Sequence, residues 1–398
     1  MKSSAAMAYR IQDNILFLSP EGRITSDNAQ ALLMDACALL DRYPNLSVCA
    51  DCAGLEYVSS AGLRMLLALK EHTDQFELTN VSPEVFDSLQ ITGITELMKV
   101  RCAYREISVD GCEVINRGGH GAAYKLDEDT LVKVYDRGDT LEMIERERDY
   151  AHRAFMHGIP TAIPYDVVKC GNYYGLVFEL IHADNLSKSI CKHPEKIEEY
   201  AEKYAAMLKK LHTTTLESGV LAPIKPIYHE KVDAMRKYCA EDELARLHAF
   251  IDWIPDRETI CHGDFHEKNM MVRNGELVLI DMAKFTTGHP IFDLSVMYTT
   301  HILSGKDHPE MTEKHLGIKY GDAVKMWKLF LTHYFGTTDE TELESIQTLI
   351  SRFAEFQALT GRGADPNFPE SMVPMLMQRL RGQLFGIMDE LMRQPMPF

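Results

Sequence analysis

The sequence predicts an α/β domain followed by a larger domain that mixes strands with helices. Three observations carry that expectation. The chain has 398 residues, 45% of them hydrophobic and 25% charged, and at about 150 residues per domain this length implies two or three domains with ample core. Strand and helix patterns alternate from Tyr9 to Gly93, which implies a small sheet with helices packed against it. Further on, Cys261-His-Gly-Asp-Phe-His-Glu-Lys-Asn269 is followed by the hydrophobic run Leu277-Val-Leu-Ile that ends at Asp281.

In the first domain, YRIQDNILFL (9–18) reads as two strands joined at Asp13-Asn14, a dipeptide that tolerates turn geometry. From Ser26 the period becomes helical, with Ser26 or Asp27 as the expected cap and Leu32, Ala36, Leu39, Leu40 and Tyr43 recurring on one face. A strand follows at Leu46–Ala50, then a helix carrying Leu63, Leu66 and Leu67, then the strand QFELTNV. Ser82-Pro83 starts a third helix, which stops near Gly93.

Composition excludes several classes of function. Only 42 Lys and Arg stand against 59 Asp and Glu, a formal net charge of -17; phosphate backbones need clustered cations, so no nucleic acid partner is expected. The same charge fits an acidic pocket for a cationic ligand and, equally, a solvated surface. No segment approaches the ~18 to 20 apolar residues of a membrane span. Nine cysteines without framework spacing, and no apolar stretch after MKSSAAMAYR, point to a reducing cytoplasm. Cys49 and Cys52 form a CxxC within a strand pattern and have no second Cys or His pair nearby, so no metal or redox site is expected there.

The junction Tyr57-Val-Ser59-Ser60-Ala61-Gly62-Leu63 and the order of elements around it resemble the STAS domain, the fold of bacterial anti-sigma factor antagonists, over most of residues 8–104. That resemblance implies a regulatory or partner-binding module, docking a signalling protein, with a serine at the position of Ser60 phosphorylated by a partner kinase. The residues alone leave two roles open for Ser60, and favour the structural one more strongly for Ser59. A serine that starts a helix is an N-cap worth about 1 kcal/mol, and the same helix end would stabilise a phosphate.

The second domain is expected to start at about residue 105. Gly118, Gly119 and Gly121 sit between two strand patterns, where missing side chains allow either a plain turn or the approach of a phosphate. Lys133 lies in the apolar strand Thr-Leu-Val-Lys-Val-Tyr. On the helix expected from Leu141 to His157, Ile144, Ala151, Ala154 and Phe155 share one face with Glu147. A carboxylate on a buried stripe needs a partner, and Lys133 is the nearest candidate; a solvated Glu147 is the alternative. The strand Leu176–Leu180 precedes a polar turn. From Pro309 onward the chain shows helical stripes without a motif, such as Met377, Leu380, Leu384, Ile387 and Leu391.

Phosphoryl transfer needs a carboxylate on the acceptor hydroxyl and oxygen ligands for Mg2+, and Asp264, Asn269 and Asp281 supply those types. HGDFHEKN closely resembles the HGDxHxxN signature of the aminoglycoside phosphotransferase and choline kinase superfamily, and the likeness extends over roughly residues 105–300. It implies an α+β two-lobed protein-kinase-like fold, with one lobe at about 105–183 and the other at about 184–398, behind a 1–104 STAS-like domain. It also implies an ATP- and Mg2+-dependent transfer to a hydroxyl-bearing small molecule. Asp264 would be the catalytic base, Asn269 and Asp281 the metal ligands, and Lys133 the phosphate clamp oriented by Glu147. The glycines would cover the phosphates, and the backbone near Glu179 and Ile181 would meet adenine. Asp293 would brace the catalytic loop and His266 would be a structural loop residue. Asp281-Met-Ala lacks the Phe-Gly of protein kinases, which favours small-molecule acceptors. Two alternatives stand beside this reading: a signalling protein whose kinase domain phosphorylates Ser60 of a STAS domain, and a non-catalytic nucleotide sensor.

Overall fold

The computed structural model describes residues 7–73, 76–118, 121–393 and 396. The chain parts into two compact units between Ile107 and Ser108.

In the first unit the opening hairpin pairs Ala8–Gln12 with Ile15–Ser19 through Asp13 and Asn14, both at positive φ (49° and 64°), a left-handed turn that these short polar residues tolerate. Ser47–Asp51, Phe76–Val81 and Lys99–Cys102 then add in parallel, so the sheet runs in the order 8–12, 15–19, 47–51, 76–81, 99–102. A separate parallel pair joins Gly22–Ile24 to Leu55–Val58. Helices Ala29–Arg42, Ser60–His72 and Pro83–Ile91 close the core over Leu16, Leu18, Ile24, Ala36, Leu66 and Leu78. The first helix starts later than the cap at Ser26 or Asp27 would place it. Its N-cap is Asn28, whose side chain accepts the Thr25 N–H at 2.8 Å and ties the loop before the helix.

The second unit is two-lobed. Its strands run in the order 164–170, 173–179, 130–135, 121–125, 114–117, antiparallel throughout. Helix Leu141–Met156, capped by Thr140, lies against the strands at 164–170 and 173–179 and buries Ile144, Glu147, Tyr150, Ala151 and Ala154. Phe155, expected on that face, is 44% exposed; it lies at the edge of the stripe, and Tyr150 fills the core instead.

The rest of the unit is mainly helical around two short hairpin-like ladders. Ile260–Cys261 pairs with Thr286–Thr287, and Met270–Arg273 pairs with Glu276–Leu279 across Asn274-Gly275, both at positive φ. At the end of the chain the expected stripe slips. Leu380–Leu384 is a π turn, whose extra residue shifts the buried face from Met377, Leu380 and Leu384 to Phe385 and Met388, so Ile387 and Leu391 are only half-buried.

Candidate active site

Lys133 and Tyr135 alternate on one face of the strand Thr130–Tyr135, and both reach the helix behind it. The Lys133 ammonium lies 2.9 and 3.2 Å from the two Glu147 oxygens, and the Tyr135 hydroxyl donates to Glu147 Oε2 at 2.6 Å. Glu147 is only 1% exposed, so the solvated alternative is excluded. The third Lys133 hydrogen bond goes to Asp281 Oδ1 at 3.1 Å. Burial opposes the Lys133 charge, but the Glu147 and Asp281 carboxylates outweigh it and hold the lysine pKa above its ordinary value.

Asp281 follows the strand Glu276–Leu279 with φ at 64°, a left-handed conformation that turns the chain back sharply. Ile280 N–H donates to Asn269 O at 2.9 Å, which continues the 270–279 ladder and sets Asn269 beside Asp281. The Asn269 amide donates to the Asp264 carbonyl at 3.0 Å. One short hairpin thus brings together three residues that the sequence separates by up to 17 positions.

The loop that carries Asp264 is braced from below. Both oxygens of buried Asp293 accept backbone N–H groups, from His262 and Gly263, each at 2.7 Å, and His212 Nε2 lies 3.0 Å from the same carboxylate. His212 in turn meets the Tyr334 hydroxyl at 2.7 Å. This is the bracing role expected of Asp293. Burial alone would raise its pKa; His212 and the backbone donors reverse that and hold it below the ordinary range. Gly263 has φ at 77°, and a Cβ there would meet the Lys284 carbonyl at 2.8 Å, so the loop needs glycine. A second brace is Glu267, fully buried against His301 at 2.7 Å.

His212, Cys261 and Asp293 are the three residues among those described that cluster as a candidate soft-metal site. Asp293 has both oxygens engaged, and the Cys261 thiol points at the His289 carbonyl with its pKa pushed well up by burial. That chemistry is a structural brace, not a thiolate ligand set. The Cys49 and Cys52 thiols are also buried and free, Cys52 with its pKa pushed up to about 12 by burial.

At the loop's open side, Asp264 Oδ2 accepts from Lys284 at 2.8 Å and Oδ1 lies 3.6 Å from His266 Nε2. Burial opposes the Asp264 charge, and Lys284 overcomes it and lowers the pKa. His266 is pushed down to about 4 by burial and is neutral near pH 7. Lys284 and Tyr135 were not singled out in the sequence. Tyr135 shares a period-two face with Lys133, a readable signal; Lys284 sits in an irregular return segment where no period applies.

The remaining sequence candidates behave differently. Gly121 is buried at φ 147°, and a Cβ would fall 1.9 Å from the Val134 carbonyl, so strand packing already requires it. Gly118 N–H donates to Gly121 O at 2.8 Å; Gly119 lies outside the described residues. Glu179 ends the strand Tyr173–Glu179 and Ile181 lies just past it; Glu179 N–H donates to Ile163 O at 2.9 Å, Ile181 O accepts from Ala183, and the Glu179 carboxylate pairs with Arg273. In the first unit the N-cap of helix Ser60–His72 is Ser59, whose Oγ accepts the Gly62 N–H at 3.3 Å. Ser60 is the first helical residue and is exposed, so the capping role open to it in the sequence belongs to its neighbour. Gly62 packs so tightly that a Cβ would approach Ile24 and Val58 methyls to 2.7 Å.

Two family models match the chain: the phosphotransferase enzyme family over residues 111–314, and Mlab, STAS domain over residues 7–100. Among solved structures, the ADP-bound aminoglycoside phosphotransferase APH(2'')-Ib is similar at 17% identity, covering 71% of this chain and 92% of its own, with a TM-score of 0.43. A choline/ethanolamine kinase family protein from Mesorhizobium loti is similar at 12% identity with the same coverages and a TM-score of 0.44. A putative anti-sigma factor antagonist from Thermotoga maritima is similar at 17% identity, covering 25% of this chain and 87% of its own, with a TM-score of 0.23. No curated protein matches the chain. Among the described residues no helix is long and apolar enough to cross a membrane.

Proposed function

The chain belongs to the phosphotransferase enzyme family, and on that premise we propose that its second unit transfers the γ-phosphoryl group of ATP to a hydroxyl of a small molecule, with the STAS-like unit as a regulatory or partner-binding module. One observation carries the reading most: Lys133 is anchored by buried Glu147 and still reaches Asp281. A cation held at that point is placed for the α- and β-phosphates.

Asn269 and Asp281 offer oxygen donors without thiol or imidazole, which fits Mg2+. When bound, that ion supplies neutralisation of phosphate charge. The chain's own residues do the rest. The backbone at Gly118 and Gly121 would face the phosphates, and the backbone near Glu179 and Ile181 would receive adenine. Asp264 orients the acceptor hydroxyl. As the hydroxyl oxygen bonds to the γ-phosphorus, the bond from that phosphorus to the β–γ bridging oxygen breaks, ADP leaves, and the hydroxyl proton passes to Asp264. Its lowered pKa makes Asp264 a weak base, so orientation comes first and proton uptake late.

The test is ADP release by the full chain with Mg2+, ATP and a broad panel of hydroxyl compounds. Acceptor-dependent release that falls about a thousandfold in Asp264→Asn supports the reading; full activity in that variant overturns it. A second reading, in which Ser60 is the acceptor, rests on its exposure at the helix start, with the cap supplied by Ser59. Mass spectrometry after incubation with Mg2+ and ATP tests it, and an unmodified Ser60 in an active preparation rejects it.

A further inference from the structure

Tyr135 has no part in the transfer proposed above, yet it makes the shortest polar contact around Glu147. Its hydroxyl donates to Glu147 Oε2 at 2.6 Å, whereas Lys133 lies 3.2 Å from that oxygen and 2.9 Å from Oε1. The phenol is placed by the sheet. Tyr135 pairs across the ladders with Gly121 on one side and Tyr174 on the other, so its backbone is fixed in mid-sheet, and the residue is buried. Burial, and then the Glu147 charge, push its pKa up, so the hydroxyl keeps its proton and stays a donor. The Tyr135 ring also faces the Lys133 ammonium, 5.0 Å from ring centre to nitrogen.

An ammonium has three N–H groups, and those of Lys133 are turned to Glu147 Oε1, Glu147 Oε2 and Asp281 Oδ1. To hold nucleotide phosphates the lysine must release some of these oxygens. Half-buried Asp281 can turn to solvent or to a metal ion, but Glu147 is only 1% exposed, and a buried carboxylate oxygen stripped of its donor is costly. With Tyr135 in place, Oε2 keeps a donor when Lys133 leaves it. Without the phenol, Lys133 would be the sole donor to both oxygens among the described residues, and releasing either would orphan it. Resting on the phosphotransferase reading above, we infer that Tyr135 is a positioning residue for phosphate binding: its hydroxyl holds Glu147 Oε2, so that Lys133 stays anchored through Oε1 and turns its other two N–H groups to the α- and β-phosphates.

The test titrates the full chain in Mg2+ with adenosine, ADP and a non-hydrolysable ATP analogue, and reads each Kd by calorimetry. Tyr135→Phe removes one oxygen and keeps the ring, hence the packing and the face presented to Lys133. It should raise Kd for ADP and for the analogue about tenfold and leave Kd for adenosine unchanged, because only phosphates meet Lys133. A purely structural role would weaken adenosine as well. Unchanged ADP binding in Tyr135→Phe, or equal losses for ADP and adenosine, overturns the inference and leaves the transfer reading standing. A wild-type chain that binds ADP no better than adenosine has no phosphate clamp at Lys133; that result counts against the transfer reading, and this inference falls with it.

Discussion

Two short junctions, one in each unit, hold their backbones in opposite ways. At Ser59-Ser60-Ala61-Gly62 the helix start is fixed by one side-chain cap over three residues and by uncharged contacts with Ile24, which accepts the Ser59 N–H at 2.8 Å and seats Gly62, while Ser60 stays exposed. At His262-Gly263-Asp264 the loop is fixed by residues far along the chain: Asp293, His212, Tyr334 and, through Glu267, His301. An exposed residue at a capped helix start can accept a modification or partner without disturbing the core. A loop braced by buried charges keeps Asp264 in one place, as transfer between positioned groups requires.

The largest test of this contrast removes charge at the transfer site itself. Asp281→Asn should lower acceptor-dependent ADP release about a thousandfold with little change in the melting of either unit; a small kinetic effect would break the assignment of the second junction. Next, Asp293→Ala strips the brace, leaving two backbone donors and His212 without their acceptor. It should cost about 3–5 kcal/mol in denaturant unfolding of the full chain, seen in the transition of the second unit.

The same residue predicts an acid limit. The Asp293 pKa is lowered in the folded chain, so its stabilisation is fully present above the ordinary carboxylate range and is lost as pH falls through the depressed value. Stability measured from pH 6 downward should therefore drop at the acid end, and Asp293→Asn should flatten that drop; a parallel curve would show that other carboxylates dominate it.

The first junction should respond far less. Ser59→Ala removes the cap and should cost about 1 kcal/mol, read as a lower melting temperature of the STAS-like unit. Ser60→Ala should change stability by less than about 0.5 kcal/mol. Reversed effects at Ser59 and Ser60 would mean that the cap lies one residue later.

Much of this was readable before the fold. Pairing Lys133 with Glu147 follows from a cation and a carboxylate each placed among apolar neighbours, because neither charge can stay buried alone. The hairpin at Asp13-Asn14 and the cap at Ser82 follow from turn and cap chemistry that acts within a few residues. The misses share a cause as well. Phe155, Ile387 and Leu391 were placed by extrapolating a uniform helical period, which fails at the edge of a stripe and across a π turn.

By itself, the sequence determined the two kinds of domain, the chemistry types around Asp264, Asn269 and Asp281, and the need for a partner at Glu147. These depend on residue type and short-range spacing. Only the tertiary structure decided that Lys133 also touches Asp281, that the Ser59 side chain is the one that caps its helix, and that Lys284 reaches Asp264. Lys133 and Asp281 are 148 positions apart, and Asp264 and Lys284 are 20 apart. Such contacts are set by how hairpin, helix and loop pack, and no local pattern encodes that geometry.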